Sequence, residues 1–442
     1  MKKETKTKDN IREILQQIGQ IRPADSAAKE AALHRQAQLA KPPGSLGGLE
    51  EIAVRMAGIT GQVIPEESFP RKGCVIVFSS DNGVVQQGVA SAPQSVTRAQ
   101  TINFTRRLTG VGALSNSFGS DILIVDMGVK DPIPEELYDT VPLQDTHKII
   151  DRKIRPGTWD IAGGPAMTED EALQAIETGI EMARAAAEEG FDILGIGEMG
   201  IGNTTTSAAV LSCITGAEAW QTCGRGGGVN DTGFQRKQQI VEQIREEWQS
   251  QISDAETSVQ NSDELESGDA QNSVQNSDEL ESGDAQNSGG PDHAAGQALG
   301  LAGRFDRILK ILARCGGFDI AAMTGAYLGA AMERIPVVID GYISVVAALA
   351  AAEIMPQAAD YMFASHQSAE PGYQIAIERL NGHSPGMQPF LALDMRLGEG
   401  SGCPIAFEII RGACDVMRNM ATFEEAEIND DYLEEVRRGG CF

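Results

Sequence analysis

Short apolar, β-branched runs alternate along most of this chain with longer stretches whose apolar positions recur at helical spacing. The short runs predict strands at Cys74–Phe78, Asp121–Asp126, Asp192–Ile196, Pro336–Ile339 and Asp360–Ala364, and most lead into a glycine or polar turn. The amphipathic stretches predict helices at Thr168–Glu189, Gly233–Trp248 and Pro371–Leu380. Thr168, followed by Glu169, Asp170 and Glu171, has the hydroxyl of an N-cap and the acids of a favourable first turn. Strands alternating with helices predict an α/β fold: a mostly parallel sheet flanked by helices, with its site at the C-terminal strand ends. Both chain ends lack this alternation and read as helices and turns. The expected division is therefore 1–66 and 376–442 joined as a small helical domain around a catalytic domain at 67–375.

One segment obeys neither pattern. "SVQNSDELESGDAQN" occurs at Ser258–Asn272 and again, letter for letter, at Ser273–Asn287, each copy with four acids and no base. With one Val and one Leu per copy it buries too little surface to offset its ordering entropy. Two such units are too few to stack as a solenoid. The stretch 253–293 is expected to be a disordered acidic insertion in a surface loop.

Composition narrows the partners. The 442 residues hold 36 Lys and Arg against 63 Asp and Glu, a net charge of −27. Nucleic acid and anionic membranes need a basic footprint, so neither is expected as a partner. The start, "MKKETKTKDN", has no apolar segment behind its lysines and does not read as a signal peptide. The apolar stretch from Pro336 to Met355 carries Asp340 and Glu353, and reads as a buried strand plus helix, not a membrane span. The 7 cysteines form no C-x-x-C pair and suit the thiols of a reducing cytoplasm.

Candidate chemistry gathers behind the strands, in "SSDNGVVQQGV", "GEMGIGNTTT", "DGYIS" and "SHQSAEPG"; "GRGGGVND" and "RLGEGSG" lie elsewhere. Glycines at strand ends let backbone N–H groups approach an anion, so the set points to a nucleotide-sized ligand. Gly195-x-Gly197-x-x-Gly200 matches the dinucleotide fingerprint, yet Glu198 sets a carboxylate where a pyrophosphate would lie, and Glu218 is a poor match for the ribose-binding acid. Asn203, Thr204 and Thr205 can instead cap a helix and serve a single phosphate or ribose. Glu198 is then either an exposed loop acid or a partner for ribose hydroxyls or a ring N–H. Glu399, between two glycines, is either solvated or placed for chemistry. His366 is either catalytic or a hydrogen-bonded structural histidine. The histidines are too dispersed for a metal site, and no nucleophile elbow or phosphate-binding lysine loop is present.

"KPPGSLGGLEEIAVRMAGI" (Lys41–Ile59), "GEMGIGNTT" (Gly197–Thr205), "GGFDIAAMTGAYLGAA" (Gly316–Ala331), "SHQSAEPG" (Ser365–Gly372) and "MRLGEGSG" (Met395–Gly402) together resemble the nicotinate-nucleotide–dimethylbenzimidazole phosphoribosyltransferase family. The resemblance runs from about Ala27 to Glu425, interrupted by the acidic repeat. It implies a Rossmann-like sheet with a small helical domain from both ends, a homodimer, and small-molecule substrates. The implied reaction moves the phosphoribosyl group of nicotinate mononucleotide to a benzimidazole, giving α-ribazole 5′-phosphate and nicotinate for cobalamin assembly. By resemblance Glu399 is the general base and Glu198 shares its pocket. Gly200, Asn203, Thr204, Lys237 and Ser368 match positions around phosphate and ribose, and Gln100 lines the base pocket. No metal and no cofactor are implied: a pyridinium departs neutral from C1′, and the azole needs only a base. Asn82, Ala92 and Asp160 depart from the family pattern, which leaves the identity of the accepted base open. The rival readings are a non-catalytic nucleotide-binding regulatory protein of the same fold and a dinucleotide oxidoreductase.

Overall fold

The computed structural model describes residues 2–139, 143, 145–267 and 300–433, the side chains of 2–9, 254–267 and 432 excepted. Six parallel strands form one sheet: β1 (Gly73–Ser80), β2 (Asp121–Gly128), β3 (Ile149–Asp151), β4 (Ile193–Met199), β5 (Val337–Ile339) and β6 (Met362–Ala364), in the order β3-β2-β1-β4-β5-β6. The predicted strands are all present. β3 escaped the pattern because three residues at a sheet edge, paired to Ile124–Asp126 and bridged at Ile149 to Tyr138, are too few to show a period. The order reverses between β1 and β4, so the crevice at their C-terminal ends is where such a sheet binds ligands.

The strands read as continuous apolar runs because helices cover both faces. Phe318–Met332 and Tyr342–Ile354 are buried on nearly every side, as expected of core helices without a polar stripe. The segment that begins at Pro336 is thus strand β5 and helix Tyr342–Ile354. Among the described residues no helix is long and apolar enough to cross a membrane. Glu353 in that helix is buried, which would raise its pKa, but hydrogen bonds from His383 and Arg379 hold it down to about 2. The helix predicted at Thr168–Glu189 runs Glu169–Glu188 and starts with a reciprocal capping box between Thr168 and Glu171.

The chain ends meet where Ala40 N–H donates to the Ala421 carbonyl (2.9 Å) and Phe423 N–H to that of Gln38 (3.0 Å). Helix Gly48–Thr60 packs on Cys403–Asn419. Two features differ from the expected division. The first helix, Lys2–Ile18, lies against helices flanking the sheet, with Arg184 Nη2 donating to Gln17 Oε1 (3.3 Å). The boundary at 375 falls inside helix Gly372–Asn381, which packs on Tyr342–Ile354. In both cases buried apolar residues, Ile14 and Ile18 in one and Ala376 and Ile377 in the other, bind the segment to the sheet side.

The helix predicted at Gly233–Trp248 extends as Asp231–Ser267, into the first repeat copy, where disorder was expected. Extending an existing helix needs no new nucleus, and its Glu, Gln and Ala residues propagate it well. The remainder of the acidic segment, 268–293, lies outside the described residues.

Candidate active site

Gly195 and Gly197, two positions of the apparent dinucleotide fingerprint, lie inside β4 and not in a loop. A Cβ on Gly195 would stand 2.4 Å from Cys403 Cβ, and one on Gly197 would stand 2.6 Å from the Glu399 carbonyl oxygen. These glycines clear room for the segment 398–403 to cross the strand. The cradle is for a protein loop, not a pyrophosphate, which removes the dinucleotide reading. Glu198, between them and Gly200, is buried on β4 opposite Phe78 of β1. It is not an exposed loop acid.

The crossing brings Glu399 to Glu198. Gly398, Glu399 and Gly400 all have positive φ, at 83°, 64° and 82°. Only glycine adopts this region freely, so Glu399 is held in a strained conformation. A side-chain carbon on Gly398 would lie 2.4 Å from Glu198 Oε1, so glycine there lets the two acids approach. Glu399 is buried, and its carboxylate sits on the N-terminus of helix Gly110–Phe118. Oε2 accepts from Gly110 N–H (2.9 Å) and Val111 N–H (3.4 Å), and Oε1 from Gln100 Nε2 (3.0 Å). Gln100 is in turn fixed by Asn103, whose amide donates to its Oε1 at 3.0 Å. Burial raises the Glu399 pKa against these donors, leaving a carboxylate that is ordered yet more basic than in water.

Glu198 has a different environment. The Asn203 amide donates to Glu198 Oε2 and, at 3.1 Å, to Asp319 Oδ2. Burial, then the Asp319 charge, pushes Glu198 up to about 8. Burial also raises Asp319 to about 6 and Asp340 to about 7. At neutral pH Glu198 therefore holds a proton. A protonated acid next to a second acid held by N–H donors is an arrangement by which enzymes divide base and donor roles.

Both face one cleft of about 270 Å³. Near Glu399 it is lined by Val96, Gln100 and Leu397; another part is lined by Thr204, Arg225, Gly226, Ser368 and Glu370. Helix Asn203–Thr215 begins here after Gly202, and a helix N-terminus favours an anion. Asn203 is not its cap: it is the first helical residue, with its amide turned to Glu198 and Asp319. Gly200, Asn203, Thr204, Ser368 and Gln100 all line the cleft. Lys237 does not. It is fully buried behind the wall, where Nζ donates to Thr204 Oγ1 (3.0 Å) and the Gly224 carbonyl (2.9 Å). Among the described residues the cations lining the cleft are Arg225 and Arg396. His366 also faces it, but burial lowers its pKa to about 4 and keeps it neutral, with Nδ1 2.9 Å from Ser365 Oγ.

Asp319, Asp340, Arg225 and Glu370 were missed as site residues. Each stands in a glycine-rich segment, "GGFD", "DGY", "GRGGG" or "SAEPG", which was the available signal. Among the described residues no group of three or more His, Cys, Asp or Glu side chains is arranged to hold a metal ion.

A phosphoribosyltransferase family model matches residues 21–261 and 293–428, omitting most of the first copy of the acidic repeat and all of the second. The chain is 44% identical over 411 residues to a nicotinate-nucleotide–dimethylbenzimidazole phosphoribosyltransferase of Clostridium perfringens, covering 93% of this chain and 94% of that one. It is 40% identical to the protein of the same name from Ruminiclostridium cellulolyticum, over 93% and 96% of the two chains. The crystal structure of CobT from Thermus thermophilus superposes with a TM-score of 0.72 at 33% identity, over 91% of this chain and 99% of that one.

Proposed function

This chain belongs to the nicotinate-nucleotide–dimethylbenzimidazole phosphoribosyltransferase family, and we propose that it moves the phosphoribosyl group of nicotinate mononucleotide to 5,6-dimethylbenzimidazole or a related lower-ligand base. The products are nicotinate and α-ribazole 5′-phosphate, for cobalamin biosynthesis. The observation that carries this reading is the Glu399 carboxylate, buried in the cleft wall, fixed by Gly110, Val111 and Gln100, and raised in pKa by burial.

Nicotinate leaves C1′ as a neutral pyridine nitrogen and needs no proton there. As one azole nitrogen attacks C1′, the other must release its proton. Glu399 takes it on Oε1, which accepts one donor, Gln100, and retains a lone pair, whereas Oε2 already accepts from both Gly110 and Val111. Protonated Glu198 offers an O–H to a ribose or base acceptor, and the helix beginning at Asn203, with Arg225, serves the 5′-phosphate. Lys237 supports that end through Thr204. Holding both substrates in one cleft supplies much of the remaining acceleration. The six described cysteines are buried free thiols, which suits a reducing cytoplasm; a homodimer is the assembly we expect in solution.

The test is product identification by mass spectrometry with nicotinate mononucleotide and a mixture of competing bases. In the same assay E399Q should lower turnover by about 10²–10⁴-fold while nicotinate mononucleotide still binds. Near-normal turnover of E399Q would remove Glu399 from the proton transfer, and nucleotide binding without nicotinate release would favour the regulatory reading.

A further inference from the structure

We propose that Asp340 is the positioning residue of the general base: its carboxylate clamps the backbone after Glu399 and holds Glu399 in its left-handed conformation. The proposal rests on Glu399 being the base. Asp340 Oδ2 accepts from Gly400 N–H (3.1 Å) and Oδ1 from Gly402 N–H (2.7 Å), so one carboxylate spans both sides of Ser401. The Asp340 side chain is buried, and the residue follows directly on β5.

Asp340 is itself anchored. Its N–H donates to Ser344 Oγ (3.1 Å), which donates to the Ile196 carbonyl of β4 (2.8 Å). Its carbonyl accepts from Ser365 Oγ (2.9 Å), next to β6. Position is thereby transmitted from three strands to the loop through one side chain. Three successive residues with positive φ cannot hold that geometry by propensity, because Glu399 prefers to leave the left-handed region. Released, the backbone would relax and draw the carboxylate away from Gly110 and Gln100. Among the described residues the titratable groups facing Asp340 are Glu198 on β4, Tyr327 and Tyr373 on flanking helices, Glu399 and Cys403 on and just after the loop, and His366 after β6. His366 Nδ1 lies 3.8 Å from Oδ1 and is neutral, so backbone N–H donors, those of Gly400 and Gly402 together with that of Gly341, are what the carboxylate answers to. An amide in its place offers one acceptor and turns an NH₂ group against the other N–H.

The decisive experiment compares the full chain with D340N, E399Q and the double variant, measuring kcat and nicotinate mononucleotide affinity. D340N is expected to lose about ten-fold or more in kcat, with nucleotide affinity within about two-fold, as for an interaction expressed only in the transition state. The double variant should be no slower than E399Q alone, because a residue acting through Glu399 has nothing left to position. D340N turning over within about two-fold of the parent, or losses that multiply in the double variant, would overturn the proposal. Should D340N fail to fold, G402A makes the same test. Its φ of −75° accepts alanine, and its Cβ would lie 3.0 Å from Asp340 Oδ1 and 2.5 Å from His366 Nδ1. Near-normal turnover of E399Q defeats the base assignment; an impaired E399Q with an unimpaired or multiplicative D340N defeats only the role of Asp340.

Discussion

Gly197 and Glu399 are in backbone contact across 202 positions of sequence: a Cβ on Gly197 would stand 2.6 Å from the Glu399 carbonyl oxygen and equally close to Gly400 N. The absence of a side chain in the middle of β4 is what allows the loop that carries Glu399 to lie on the strand beside Glu198.

G197A should therefore displace Glu399 while leaving its chemistry intact. The clash is with backbone on both sides, so it is relieved by moving the loop, not by a rotamer change. A misplacement of the order of 1 Å is worth about 10²-fold in rate. We expect kcat to fall by about that factor, with the melting temperature much less affected. Unaltered kcat in folded G197A would show that the loop tolerates displacement.

The buried acids set a pH dependence of stability. Glu198 has a usual pKa of 4.5 and stands near 8 in the folded chain, chiefly through burial. Between those values the folded state keeps a proton that the unfolded state has released, so stability falls as pH rises. The loss starts above 4.5 and is complete once pH passes 8, with a slope of at most about 1.4 kcal/mol per pH unit for this group. Asp340 and Asp319, raised to about 7 and 6, act with the same sign. Thermal melts from pH 5 to 9 should thus show declining stability, and E198Q should flatten the decline. An unchanged slope in E198Q would mean that Glu198 is not the protonated group.

Lys237 should matter through Thr204. Replacing it by methionine leaves the half-buried Thr204 hydroxyl and the Gly224 carbonyl without their charged donor, a loss of about 1.5–3 kcal/mol for such a bond. The KM for nicotinate mononucleotide should rise by about ten-fold or more, and that for nicotinate riboside, which lacks the phosphate, much less. T204V should have the same effect, and combining the two should add little. Equal weakening of both substrates would detach Lys237 from the phosphate end.

Deleting Ser258–Asn287 should leave kcat, KM and melting temperature nearly unchanged. The family match stops at 261 and resumes at 293, and among the described residues none of the cleft lining comes from this segment. Loop-closure entropy changes by only about 0.6 kcal/mol for each doubling of length. A large loss of activity on deletion would give the repeat a part in the site.

The chain's own pattern was sufficient for the α/β class, five of the six strands and the buried nature of the segment after Pro336, because periodicity and capping are local properties. Motifs, once recognised as a set, also marked Glu198 and Glu399 as a pair. Local pattern failed at Gly195 and Gly197, where the spacing of a phosphate loop serves to admit a polypeptide instead. At Lys237, which the resemblance marked for the phosphate end, tertiary packing sets the ammonium on Thr204 and Gly224 behind the cleft wall. Asp319 and Asp340 carried one sign in the sequence, the glycines beside them, which other acids at turns share. Their proton affinities come from burial and from neighbours distant in sequence (Gly400 and Gly402 are 60 and 62 positions from Asp340, Asn203 is 116 from Asp319), quantities that exist only after the sheet has closed over them. Residue type decided which chemistry was available; the packing of β4, β5 and the loop at Glu399 decided which carboxylate holds a proton and which can accept one.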